Sequence, residues 1–423
     1  MCCKSKALTL MLATIFLISF LTFSYNSKAN GKQTWNIQTI NKNAIGESFI
    51  ALDSNDNPHI VYNDFNSNST FGTYNLMYAT LNNSSWNTEI VAKQYYAIGF
   101  ALDSQNNPHI IASTNRTHYP GMLTYISWTG SSWSIQTVDD QSEIEGTASL
   151  ALDSENNPHI AYLAIGPLYQ TPTPGIWGVY INAKYASWTG TKWNIETIDG
   201  PHLDSIQIII AMDPNNKAHI LYSKQQTLVY TVSNLSSWNI QTVISNSSYG
   251  NFILDSKGHP HIIYLLGRPD TNSHTLMYSS WNGSAWNNQT IIPNGSIENS
   301  NFGYLAIDSN NYPHVDFVIN STLYYSSWNG NTWSTEALDS KVHMAGPVIF
   351  DSSDNPHICY MGIQPNHTYL MYATTNKPTQ ISNKPLTIPI ITVTIVIMVI
   401  IVSLSLFLNR RHRKTANLNK TTS

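Results

Sequence analysis

Cysteine is almost absent from this chain of 423 residues: Cys2 and Cys3 stand near its start and Cys359 stands by itself. No disulfide framework can be drawn, so the chain must rely on a buried core, which more than 300 residues of repeated sequence can supply. Charge is scarce too, at 11% Asp, Glu, Lys and Arg, less than half the usual share. All 25 acidic residues fall between Glu47 and Asp354; residues 30–384 set eleven lysines and two arginines against them, a formal −12. That balance excludes nucleic acid as a partner. Long apolar runs are limited to two, one near each end. The 15 residues after the second leave no room for a cytoplasmic domain, which argues against an intracellular signalling enzyme.

The first run, residues 7–23, follows Lys4 and Lys6 and precedes the small residues Ser27 and Ala29. It reads as a secretory signal peptide over 1–29, with an uncleaved anchor as the alternative. The second, 388–408, is long enough to span a bilayer as a helix, and Arg410, Arg411, Arg413 and Lys414 mark its cytoplasmic side. The expected organisation is a 30–376 ectodomain, a 377–387 linker, a 388–408 transmembrane helix and a basic 409–423 tail. That organisation makes a single-pass type I protein of the cell membrane the expectation, with the ectodomain outside and the C-terminus cytoplasmic. Glycosylation candidates are Asn68, Asn115, Asn234, Asn246, Asn282, Asn294, Asn320 and Asn366.

Between the runs, one stretch returns seven times, beginning at Asp53, Asp103, Asp153, Asp213, Asp255, Asp308 and Asp351. Its first copy is Asp53-Ser54-Asn55-Asp56-Asn57-Pro58-His59-Ile60-Val61-Tyr62, and a histidine stands six residues after the aspartate in every copy. A period of roughly 50 residues points to a propeller or solenoid. A tyrosine with a tryptophan eight residues later follows in six copies, from Tyr78/Trp86 to Tyr325/Trp333. The β-branched and aromatic runs alternate and are divided by Asn, Gly and Ser turns, giving four strands per repeat, a to d. The seventh repeat lacks strand d, and residues 35–40 are a strand d with nothing before them. Docking one beside the other closes an all-β, seven-bladed β-propeller and protects its edges.

Spacing gives the ring two unlike faces. The a–b and c–d turns keep constant lengths, whereas histidine of b to tyrosine of c spans 11 to 26 residues and tryptophan of d to the next aspartate spans 17 to 22. Insertions confined to the b–c and d–a face mark it as the binding face. The repeated aspartates and histidines do not read as metal ligands. Pro58 stands where a calcium loop needs glycine, no copy offers a glutamate at the twelfth position, and histidines on seven blades cannot share an ion. We expect a hairpin and packing role for them, with no metal and no cofactor.

Eleven of the 12 tryptophans belong to the repeat; Trp177 lies in the longest b–c insertion with Tyr169 and Tyr180 nearby. Such aromatic side chains can stack on a sugar ring or a partner's side chain, or pack on the insertion itself. Arg116 with Tyr119, and Arg268 with Asp270, are further candidate recognition residues in b–c loops. Acid–base chemistry would need converging carboxylates, or a carboxylate with His or Tyr. The variable face offers Asp64, Asp139, Asp140, Glu143, Glu145, Asp204, Asp270 and Glu298, with His118, His202, His274 and His343, but no spacing singles out a catalytic pair.

Residues 35–375 resemble extracellular propellers of the BNR/Asp-box and lectin-like kind, built from tandem Asp-x-x-Gly-x-Pro-His-Ile-x-Tyr units on microbial surface proteins. In this chain Asn57, Asn107 and Asn157 replace the usual glycine. Ser54 and Asp56 fit the Asp-box, but Pro58 stands where that pattern has its glycine. Sialidases on similar propellers use three arginines; only Arg116 and Arg268 lie outside the membrane run and tail, which argues against that activity. The resemblance implies a surface-binding protein that recognises a glycan or another surface protein. The alternatives are a membrane-tethered glycosidase or lyase, or a structural envelope protein.

Overall fold

The alternating runs fold into strands throughout. The computed structural model describes residues 34–375, except 67–72, 83–84, 115–120, 172–176, 204, 235–236, 248, 268–273, 296, 298–301 and 365–366. The signal-like segment, linker, 388–408 run and basic tail lie outside the described residues. Among the described residues no helix is long and apolar enough to cross a membrane.

The first strand, β1 (Trp35–Asn41), belongs to the last sheet. Blade 1 is β2 (Ala44–Leu52), β3 (Pro58–Asn66), β4 (Thr73–Asn82) and β5 (Ser85–Lys93). Blade 2 is β6 (Tyr96–Leu102), β7 (Pro108–Ser113), β8 (Leu123–Trp128) and β9 (Trp133–Thr137); blade 3 is β10 (Ile144–Leu152), β11 (Pro158–Gln170), β12 (Trp177–Trp188) and β13 (Trp193–His202). Blade 4 is β14 (Ile208–Met212), β15 (Ala218–Lys224), β16 (Thr227–Asn234) and β17 (Ser237–Ser245); blade 5 is β18 (Gly250–Leu254), β19 (Pro260–Leu266), β20 (His274–Trp281) and β21 (Trp286–Gly295). Blade 6 is β22 (Leu305–Ile307), β23 (Pro313–Ile319), β24 (Thr322–Trp328) and β25 (Trp333–Ser340). Blade 7 takes β26 (Val342–Met344), β27 (Val348–Phe350), β28 (Pro356–Gln364) and β29 (His367–Thr375), and β1 completes it, antiparallel to β29 from Trp35↔Thr375 to Asn41↔Leu370. The expected closure is therefore observed. Pro347, which has no amide to donate, divides the innermost strand of blade 7 into β26 and β27.

The core consists of layers between neighbouring blades. In His-Ile-x-Tyr, Ile60 and Tyr62 face blade 7 and pack with Cys359, Leu370 and Tyr372, whereas Val61 faces blade 2 and packs with Ile110 and Ile126. With both sheet faces buried, the strand is apolar on both sides. Each such Ile or Tyr contributes about 1.5–3 kcal/mol by leaving water. First strands of successive blades touch around the ring, so they line the axis.

The repeated motif builds the constant face. Asp53 Oδ1 accepts the amides of Asn55 and Asn57 at 2.8 Å, and the fourth residue of the turn is left-handed in all seven copies: Asp56, Asn106, Asn156, Asn216, Gly258, Asn311 and Asp354. The glycine-like position is thus one residue earlier than Asn57, Asn107 and Asn157, and Asn, Asp and Gly tolerate it best. Asn57 uses its side chain instead to hold Asp53 Oδ2, at 2.9 Å. The left-handed residue also links blades. Ser54 donates its amide to Asn106 Oδ1 at 2.9 Å, Ser104 to Asn156 and Ser154 to Asn216 at 3.0 Å, and Ser352 to Asp56 at 3.0 Å across the closure. Pro214 has no amide to give and Gly258 no side chain to receive it, so this link is missing between blades 4 and 5.

Every motif histidine is engaged. Nδ1 meets the strand-c tyrosine hydroxyl of its own blade, as in His314–Tyr325 (2.7 Å) and His357–Tyr372 (2.6 Å), and Nε2 lies 3.3–3.8 Å from the motif aspartate. Each of those tyrosines also takes the strand-d tryptophan of the next blade edge-on, at ring centroids 5.1–6.4 Å, with Tyr372–Trp86 and Tyr325–Trp35 completing the circle. The motif is structural.

Candidate functional site

The variable face has a less regular construction. Where strand b meets the preceding blade on this face, its tyrosine hydroxyl reaches the end of that blade's strand d. Tyr162 donates to Asp139 at 2.7 Å, Tyr222 to Asp199 at 2.7 Å and Tyr360 to Asp339 at 2.6 Å, while Tyr62 accepts from Asn41 at 3.2 Å. These are latches between blades. Asp139, a candidate acid in the sequence, is 1% exposed and also bound by Lys184 at 3.0 Å, so it serves as a latch residue.

The latch between blades 3 and 4 carries more. Asp199 Oδ2 receives Tyr222 and also Lys224 Nζ at 2.9 Å, and His202 Nε2 lies 3.2 Å away without hydrogen-bond alignment. A register shift between Ile181 and Ala183 accompanies the bulge in β13 that lets Asp199 and His202 both reach this cluster. Desolvation raises the Asp199 pKa, but hydrogen bonds from Tyr222 and Lys224 and the nearby positive charge outweigh it and hold the carboxylate below its usual range. Burial lowers that of His202 despite Asp199 beside it. The side chains of Asp199 and Lys224 are 18% and 35% exposed, against 2% and 16% for Asp139 and Lys184. Beside Lys224 lies a cleft of ≈ 220 Å³ lined by Lys224, Gln225, Thr227, Val229, Ile240 and Thr242.

Above this sector rises the long b–c insertion of blade 3. It is an extension of the strands: β11 and β12 run on as a two-stranded arm, paired at Leu168↔Val179, Tyr169↔Gly178 and Gln170↔Trp177. Blade 4 turns at Lys224, five residues after its histidine, whereas β11 continues for eleven. The six extra residues carry the arm about 20 Å further. Successive residues alternate between its faces. Val179 and Ile181 pack with Tyr222 and Val229 of blade 4, so Trp177, two residues beyond Val179, faces the same way and is 60% exposed, as Leu168 is at 64%. Tyr169 and Tyr180 occupy the opposite face, rings 4.8 Å apart, with Tyr169 lying over Gly178, where a Cβ would come within 2.4 Å of its ring. The three aromatic residues therefore do not form one platform. Trp177 faces blade 4 and the tyrosines face away.

Arg116, Tyr119, Arg268 and Asp270, with His118, Asp204 and Glu298, lie outside the described residues. Asp140, Glu143 and His343 are exposed, and His274 is buried. Of the sequons, Asn234, Asn246, Asn282 and Asn320 are exposed in turns or at strand ends; Asn294 lies in β21, and Asn68, Asn115 and Asn366 fall outside the described residues. Among the described residues no three His, Cys, Asp or Glu side chains group to hold a metal ion.

A second polar group, absent from the candidates named above, lies against the innermost strands of blades 6 and 7. At the third position of His-x-x-Tyr the other blades have Val61, Ile111, Ala161, Leu221 and Ile263, but blades 6 and 7 have Asp316 and Cys359. Asp316 is fully buried, accepts the Tyr304 amide at 2.8 Å and the Gly346 amide at 3.3 Å, and is pushed up to about 8 by burial. Burial pushes the Cys359 thiol up to about 12 and Ser48 donates to it at 3.3 Å. Burial raises the Tyr304 phenol well above its usual value, and the charges of Glu47 and Asp316 add to the shift. Glu47 is exposed on the innermost strand of blade 1. Comparing this position across repeats would have exposed Asp316 and Cys359 from sequence.

No family model matches the chain, and no curated protein matches it. Solved structures do. The polysaccharide lyase Uly1 superposes with a TM-score of 0.50 at 9% identity, over 83% of this chain and 94% of its own. The SapL1 lectin in complex with alpha methyl fucoside gives 0.44 at 11% identity, over 70% and 97%, and the NanB sialidase of Streptococcus pneumoniae 0.43 at 10%, over 81% and 70%. At such identities the likeness is one of fold, in keeping with the resemblance drawn from the repeats.

Proposed function

We propose that this protein is a carbohydrate-recognition propeller, secreted through residues 1–29, held in the cell membrane by 388–408, and binding its glycan on the variable face beside the blade 3 arm. The observation that carries this reading is the arm itself: a hydrogen-bonded two-stranded projection that holds Trp177 60% exposed on the side facing blade 4. A large exposed indole costs solvation unless something covers it, and a sugar's C–H face is a fitting cover. Both ends of the ring, Trp35 and Thr375, lie on the constant face, so a tether at either end leaves the variable face open. Uly1, whose fold this chain shares, is a polysaccharide lyase; the proposal shares only its substrate class.

The test is a glycan array with the full-length protein in mild detergent, with and without Trp177→Ala. Specific binding that falls at least about tenfold in the variant is expected, as for an aromatic anchor. Failure to bind any glycan would reject the reading in favour of a protein partner or a structural role.

A second reading, a carbohydrate-active enzyme, is favoured by Glu47, an exposed carboxyl on the innermost strand of blade 1, and the Tyr304 phenol beside the innermost strand of blade 6, on which its charge acts. Its weakness is geometric. Asp316 is fully buried and committed to two backbone amides, which leaves Glu47 without a second working carboxyl. Cleavage of array glycans by the wild type, lost in Glu47→Gln, would establish the enzyme.

A further inference from the structure

Three observations meet at the blade 3–4 junction. The first is the open latch, where Asp199, His202 and Lys224 meet at the rim of the cleft. The second is the chemistry of that cleft: an ammonium, an amide and two threonine hydroxyls around a small apolar strip of Val229, Ile240 and the Lys224 stem, with Ile240 42% exposed. The third is its turn. Lys224 and Thr227 are joined by Gln225 and Gln226, both left-handed at φ 47° and 61°. Two-residue hairpins of this type favour Asn-Gly or Gly-Gly, and a pair of glutamines there stores strain of the kind that collects at binding sites.

We infer that this cleft is the primary subsite of the glycan site proposed above and that it takes one neutral, hydroxyl-rich pyranose ring. The inference rests on that reading and adds location and ligand class. Size supports a single ring, since ≈ 220 Å³ is below the roughly 300–1,000 Å³ of sites that enclose larger ligands. Lys224 and Gln225 donate to ring hydroxyls, the threonine hydroxyls donate or accept, and Ile240 meets the C–H face. Neutrality follows from charge. The Lys224 ammonium is already compensated by Asp199 at 2.9 Å, and the formal −12 of residues 30–384 repels acidic polymers. Trp177, on the blade 4 side of the arm, then receives the next residue of the chain.

The experiment measures affinity by calorimetry for the best array oligosaccharide, using full-length wild type, Trp177→Ala, Thr242→Tyr and Gln225→Gly, each with its melting temperature. Thr242 is exposed on β17, so tyrosine there fills the cleft without touching Asp199. It should weaken binding at least about tenfold at unchanged melting temperature. Gln225→Gly removes a donor and relieves the turn, so affinity falls while the melting temperature holds or rises. Affinity should change less than about twofold through a salt titration. Unaltered affinity in Thr242→Tyr, with binding lost in Trp177→Ala, overturns the cleft but keeps the glycan reading. Absence of any glycan binding by wild type overturns both. A best ligand that is acidic, with affinity falling tenfold in salt, overturns the neutral class.

Discussion

Asp316 has an inverted titration. Its folded pKa, about 8, lies above the ordinary carboxyl value of 3.8, because burial favours the neutral acid. A group raised in the folded state stabilises fully below its unfolded pKa and loses that contribution as pH rises toward the folded one, here between about pH 4 and 8. At about 1.4 kcal/mol per tenfold change in proton affinity, the loss is of the order of 5 kcal/mol at most. Asp316→Asn has no titrating proton and keeps an acceptor for only one of the Tyr304 and Gly346 amides, a cost that does not change with pH. Urea denaturation should therefore find the variant more stable than wild type at pH 8 and no better at pH 4.5. Equal pH profiles for the two proteins would show that Asp316 does not carry this proton. At this scale the sequence is partly legible. The aspartates, histidines and tryptophans of the repeat announce their packing role through recurrence, whereas Asp139 and Asp199 look alike among loop acids until tertiary structure places Tyr162 and Tyr222 against them.

At the scale of elements, the strands and the clasp follow from alternation and from the strand d without a repeat, since both are local or arithmetic signals. The arm does not. A spacing of 26 residues between His159 and Tyr185 gives its length, but whether those residues form a loop or continue the ladder depends on pairing such as Tyr169↔Gly178, where only glycine admits the tyrosine ring. The arm's inward contacts are Val179 and Ile181; beyond them it touches little of the ring. Replacing 166–178 by an Asn-Gly turn should therefore lower the melting temperature by only a few degrees, a loss of about 1–2 kcal/mol. Glycan binding should disappear. A variant that cannot fold would show that the arm is part of the core and that its projection has been misjudged.

The propeller is a ring in which tryptophan on tyrosine and an apolar layer fasten every blade to the next, and the constant-face turns add a third link between blades 1–2, 2–3, 3–4, 6–7 and 7–1. Sevenfold recurrence makes acid sensitivity a collective property. All seven motif histidines are held below the usual pKa by burial, with the motif aspartates only partly restoring it. A histidine lowered in the folded state binds fewer protons there than in the unfolded chain, so its contribution to stability is present above about pH 6.5 and is lost as pH falls through that value. Asp53, Asp103, Asp153, Asp213, Asp255 and Asp351 are lowered too: desolvation raises them, but hydrogen bonds from the turn outweigh it, and their contribution is lost at still lower pH. Asp316 opposes both with a single group. His59→Gln removes one titrating ring of seven. It should cost about 1–3 kcal/mol at pH 7.5 through the unpartnered Tyr78 hydroxyl, and the histidine part of the stability slope between pH 5 and 6.5 should shrink by about a seventh. The same substitution placed at His357 should give the same change, because His357 has the same aspartate and tyrosine partners in its own blade. A change confined to one copy would mean that one histidine has work the others lack.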